Sequence, residues 1–229
     1  MSQRPAPLPH GDLTEIFPDV FFVTGGIRFM PGVIGTRNMT VVRQGGDLVV
    51  INSVRLDAEG EAKLDALGKV KHVVRVGFFH GLDDPYYVER YGAQLWVPPR
   101  VEAPGAKVLG RYGCPVEGAP VFVFEKGKEG EVALVLPRDG GVLVTCDSYQ
   151  NWTTFEGCTF LCRLMLGAMG FGPRIVGGPW VKRMGVAVRE DFHRLLQLPF
   201  VHLAPAHGTV IRDGAKEGLR EAIAKRFGA

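Results

Sequence analysis

The chain has 229 residues, 46% hydrophobic and 22% charged, which supplies one substantial core and excludes a disordered or fibrous protein. Its 27 lysines and arginines against 24 acidic residues leave a net charge of +3, and the basic residues are scattered, so nucleic acid is not an expected partner. No apolar run approaches the roughly 18 residues that span a bilayer, the proline-rich start lacks a signal-peptide stretch, and four cysteines with no Cys-x-x-Cys spacing make no disulfide scaffold. A cytoplasmic protein with reduced thiols is expected.

In chain order, residues 1–11 read as a flexible tail carrying His10, and 12–229 as a single domain. Asp19 to Thr24, Met39 to Val42 and Asp47 to Asn52 are rich in β-branched and aromatic residues, and Gln44-Gly45-Gly46 is a tight turn between the last two, so a hairpin opens a sheet. Asp57 can cap a helix through Leu67 that Gly68 ends, and Val70 to Val76 is again a strand. Pro85 fits the first turn of a helix to Tyr91, with an aspartate before it as cap and Gly92 as stop, and Gln94 to Val97 is a short strand. Residues 98–118 are irregular; Pro120 to Glu125, Glu131 to Leu136 and Gly141 to Cys146 are strands of a second sheet. The apolar segment 151–180, broken by glycines and prolines, reads as a helix plus a lid or interface insertion, followed by helix 189–196, strand 201–204 and an amphipathic helix over 216–227. Cys158 and Cys162 share a helix face and read as core; His72, His193 and His202 read as structural.

The stretch Gly77-Phe78-Phe79-His80-Gly81-Leu82-Asp83-Asp84 follows a strand, where sheet proteins place their chemistry. With the order of elements, it resembles the metallo-β-lactamase fold, which implies an α+β, four-layer αββα sandwich of two mixed β-sheets flanked by helices. The family's His-x-His-x-Asp-His loop is incomplete here. Aligned on Asp83, its three histidine positions hold Phe79, Gly81 and Asp84, and His80 falls between two of them unless the loop shifts by one residue. Asn52-Ser53-Val54 stands where the family carries Asp-Thr-Gly, and residues 126–136 lack its next histidine. Two landmarks remain: Asp147 after the strand ending Val144-Thr145-Cys146, and His207 in Ala204-Pro205-Ala206-His207-Gly208.

The resemblance therefore implies a candidate metal set of His80, Asp83, Asp84, Asp147 and His207, too few for two ions and carboxylate-rich enough for one zinc, iron or manganese. Two readings stay open. One is a single-metal hydrolase of an ester, lactone, thioester or amide; the other is a non-catalytic protein without metal that binds a small molecule or forms a homo-oligomer through the apolar 155–180 segment. Electron transfer through iron needs a fuller ligand set than the sequence holds.

Overall fold

The computed structural model describes residues 6–228, so part of the expected 1–11 tail, and Ala229, lie outside the described residues. The elements run β1 (Thr14–Phe17), β2 (Val20–Met30), β3 (Val33–Gln44), β4 (Asp47–Ile51), α1 (Ala58–Leu67), β5 (Lys69–Val74), α2 (Asp84–Tyr91), β6 (Gln94–Val97) and β7 (Lys107–Val108). The second half follows as β8 (Val121–Val123), β9 (Val132–Leu136), β10 (Val142–Thr145), α3 (Phe160–Ala168), α4 (Gly178–Met184), α5 (Val188–Leu195), β11 (His202–Pro205) and α6 (Ala215–Phe227). A seven-stranded sheet runs in the order β1 to β7, and a four-stranded sheet in the order β11-β10-β9-β8. Both are mixed: β3 and β4 are antiparallel while β4, β5 and β6 are parallel, and β10 pairs parallel with β11 and antiparallel with β9.

Period-two alternation sorts the side chains into layers. In β4, Val49 and Ile51 enter the core between the sheets while Leu48 and Val50 face Leu64 of α1 and Tyr87 of α2. In β9, Val132, Leu134 and Leu136 join that central core, and Ala133 and Val135 pack outward against Trp180 of α4, Phe192 of α5 and Leu219 of α6. The outcome is an α+β sandwich with helices on both outer faces, the architecture the sequence implied.

The helix ends follow local chemistry. Asp57 accepts a hydrogen bond from Gly60 N at 2.9 Å as the cap of α1. Asp83 precedes α2, with Pro85 in its first turn, but its side chain makes no cap bond, because its carboxylate is engaged elsewhere.

Three departures from the sequence reading have physical causes. β2 and β3 form one long hairpin, extending past the expected strands at 19–24 and 39–42. Gly25, Gly26 and Gly35 hide that continuity: each is bare because a Cβ there would strike Val54, Leu8 or Phe29. Segment 151–180 contains one helix, α3, and ends in the first turn of a second, α4, that runs on to Met184; α3 leaves Phe160, Leu161 and Leu164 exposed while burying Cys162 and Leu166. Residues 9–11 run along β2, with Gly26 N donating to Pro9 O and Gly11 N to Thr24 O, and His10 accepts from Asp57 N at 2.9 Å. No helix among the described residues is long and apolar enough to cross a membrane.

Candidate functional site

Three chain segments that leave strands meet at one end of the sandwich. Asn52, at φ 55°, ties two of them: its N donates to Val74 O, its Oδ1 accepts from Val76 N, and its Nδ2 donates to Thr145 O at 3.2 Å. A left-handed conformation is tolerated by asparagine. Asn38 of β3 fastens the third segment, donating from Nδ2 to Pro205 O at 2.9 Å and to Gly208 O at 2.7 Å. The loop after β5 is held by Val132 N donating to Val76 O and tightens through His80 N to Gly77 O. Gly77 must be bare, since a Cβ would collide with Cys146.

These constraints bring His80, Asp147 and His207 together. The two Nε2 atoms are 3.0 Å apart, Asp147 Oδ1 is 3.3 Å from His207 Nε2, and Asp147 Oδ2 is 3.6 Å from His80 Nε2. His207 Nδ1 lies 2.9 Å from Thr36 O, so it must carry the proton and donate, which turns the Nε2 lone pair of the neutral ring towards the cluster. Trp152 stacks on this ring at 5.5 Å and 16°. Cys146 Sγ donates to Asp147 Oδ2 at 3.4 Å, and one donor atom each of His80, Cys146 and Asp147 lie within 4.8 Å of one another.

Burial, assisted by repulsion from His207, Arg37 and Arg75 and opposed by Asp147, lowers the His80 pKa to about 3. Asp147 is held below its ordinary value: burial would raise it, and the polar contacts with His207, His80 and the Cys146 thiol outweigh that and keep the group ionised. Neighbouring Glu131 is pushed the other way by burial and by Asp147, although its oxygens accept from Ser148 N and from Trp180 Nε1 at 2.7 Å. A neutral imidazole beside an ionised carboxylate is the protonation state that metal ligation requires.

A pH dependence of stability follows. In metal-free protein, unfolded His80 takes a proton near 6.5 while the folded residue resists it until about 3. For this residue the unfolded state holds more protons in the window, so its own contribution to stability falls as pH drops below 6.5, while Glu131, whose pKa burial raises, contributes in the opposite direction. About 2 kcal/mol should be lost by pH 5 from this residue. Urea midpoints measured from pH 7 to pH 5 should change differently in His80→Gln, which gains stability relative to wild type as pH falls; equal slopes would rule out this contribution of His80.

The other two acidic candidates lie apart from this cluster. Asp83 forms an ion pair with Arg37 of β3 and accepts from Arg55 N at 2.7 Å. Asp84 is 1% exposed, accepts from Arg75 Nε at 2.8 Å and from Ser53 Oγ at 2.6 Å. The Arg75 guanidinium rests on Gly81, filling the space that a side chain there would need. His72 and His202 are engaged within the sheets: Trp96 Nε1 donates to His72 Nδ1, and Asp213 N donates to His202 Nδ1.

No protein-family model matches the chain, and no curated protein matches it. Solved structures do. VMB-1 at pH 5.5 is similar with a TM-score of 0.68 at 12% identity, covering 93% of this chain and 96% of that one. A metallo-β-lactamase from Erythrobacter litoralis gives 0.63 at 11%, covering 96% of both chains. The mono-zinc form of FIM-1 from Pseudomonas aeruginosa gives 0.60 at 13%, covering 96% and 97%.

The chain has the metallo-β-lactamase fold.

Within that fold, the loop after β5 resolves the register that sequence left open, because the Gly77–His80 turn swings His80 towards His207 and Asp147. Sequence reasoning missed Thr36, Arg37, Arg75, Glu131, Cys146 and Trp152 as neighbours of the site. One carried a signal: Arg37 interrupts a buried stretch of β3, where a charged side chain demands a partner.

Proposed function

We propose that the protein holds one divalent ion at His80, Asp147 and His207 and hydrolyses a small-molecule ester, lactone, thioester or amide. The observation that carries this reading is the convergence of two imidazole Nε2 atoms and a carboxylate at separations of 3.0, 3.3 and 3.6 Å. Atoms that share an ion at about 2.0–2.2 Å lie at such spacings. The orphaned nitrogen agrees: His80 Nδ1 is buried with no hydrogen-bond partner among the described residues, so the ring's one anchored atom is the Nε2 that faces the cluster. Two imidazoles with one carboxylate suit zinc, iron or manganese.

When bound, the ion would polarise a substrate carbonyl and acidify a water. The chain's own residues prepare the place. Thr36 O fixes the tautomer of His207 as a hydrogen-bonded partner does for metal-ligating histidines, and Trp152 covers the ring face. Asp147 stays ionised, and the Cys146 thiol, raised well above its ordinary value by burial and then by Asp147, stays protonated and donates to that carboxylate. The four cysteines are free, the state that a reducing cytoplasm maintains.

A second reading, a binding protein without metal, is favoured by one specific feature. Arg37 and Arg75 hold Asp83 and Asp84, so cationic side chains stand beside carboxylates that the family resemblance gave to metal. Elemental analysis separates the two. Protein grown in metal-supplemented medium is expected to contain close to one ion per chain, with an anomalous peak between His80 and His207, and Asp147→Ala to lose both ion and hydrolysis. Metal-free wild-type protein that still shows a ligand-dependent rise in Tm would establish the second reading.

A further inference from the structure

A cleft of about 520 Å³ opens between the segment 6–8, the outer half of β2 and the start of α2. Its walls are apolar where Leu8, Ile27, Leu82 and Tyr86 contribute, and among the described residues that line it Arg28 and Arg37 stand with a single carboxylate, Asp83. Such a volume with a few convergent polar groups is the form of a small-molecule site.

Among the described residues, Arg28 and Arg37 outnumber that carboxylate. The Arg37 side chain is 3% exposed, and its one carboxylate contact is made through Nη2; its Nε is buried with no hydrogen-bond partner among the described residues. Arg28 is exposed at the cleft edge and makes no ion pair among the described residues. Arg55 lies over the Tyr86 ring, 4.5 Å from its centroid, which makes one wall both flat and cationic. Desolvated guanidinium groups are the preferred partners of carboxylate and phosphate oxygens.

We propose that this cleft binds an organic acid with an apolar body, its oxyanion head between Arg28 and Arg37 and its hydrocarbon or aromatic part against Leu8, Leu82 and Tyr86. A cation is disfavoured by the excess of arginine, and a bare inorganic anion would leave the apolar wall wet. Binding here does not require an ion at His80, Asp147 and His207, so chelator-treated full-length protein serves for the test, and failure of either proposal leaves the other intact.

The experiment is calorimetric titration with sodium octanoate, octyl phosphate and octylammonium chloride. Saturable binding of octanoate or octyl phosphate, with none of the ammonium, is expected; the tighter of the two anions assigns the head as carboxylate or phosphate. Arg28→Ala, a change at an exposed strand end, should weaken that anion about tenfold, the size of one charge-assisted contact. Leu82→Asp, at a position 70% exposed, should weaken it by at least as much by placing a like charge and a polar group against the apolar body. Equal binding of octylammonium, absence of saturable binding by both anions, or unchanged affinity in Arg28→Ala with native circular dichroism would each overturn the assignment.

Discussion

Arg37→Met is expected to destabilise the protein by about 3–5 kcal/mol, the cost of removing one partner from a buried ion pair. The arginine side chain is 3% exposed and Asp83 is 17% exposed, so water cannot replace the lost guanidinium in full. Methionine matches the length of the stem and packs well, which confines the loss to the stranded carboxylate and its remaining bond from Arg55 N. The double variant Arg37→Met/Asp83→Asn should recover most of the loss, because it removes the uncompensated charge. Urea denaturation of the four proteins gives the coupling energy directly. A single variant within 1 kcal/mol of wild type would show that this pair does not support the loop.

The same pair explains what could and could not be read from sequence. Strands such as β4 and β9 were legible because each is buried on both faces in two different cores, and so reads as a short β-branched, apolar run bounded by turn residues. Helix α1 was legible because Asp57 and Gly68 act locally at its ends. The hairpin beyond Thr24 was not, since Gly25 and Gly26 are dictated by Val54 and Leu8, which lie outside it, and Gly35 by Phe29 on the facing strand. Asp147 and His207 could be placed because each follows a strand of the second sheet, and parallel pairing of Thr145 with Pro205 brings the two ends side by side. The loop between them in space was ambiguous. Asp83 and Asp84 have the composition of ligands, and only the distant Arg37 and the guanidinium of Arg75 reveal that both carboxylates are spent on ion pairs.

Placing a histidine at position 81, where the resemblance puts one, is therefore expected to fail. In Gly81→His, the new Cβ would overlap the Arg75 guanidinium, and although an arginine tip can move, this one cannot do so freely. It donates from Nε to Asp84, a carboxylate with 1% exposure whose other oxygen is held by Ser53. Displacing it leaves a buried carboxylate with one neutral partner, a loss of about 3–5 kcal/mol, to which strain from forcing a ring into an occupied space adds roughly 1–3 kcal/mol. Gly81→Ala should pay most of the first cost without adding any ligand, so the two variants together separate steric displacement from chemistry. Urea denaturation should place both well below wild type, with Gly81→His binding zinc no more tightly in a competition titration with a chromophoric chelator. A stable Gly81→His protein that gained zinc affinity would mean that Arg75 yields to a ligand at this position, and that the arginine pairs occupy a metal site rather than replace it.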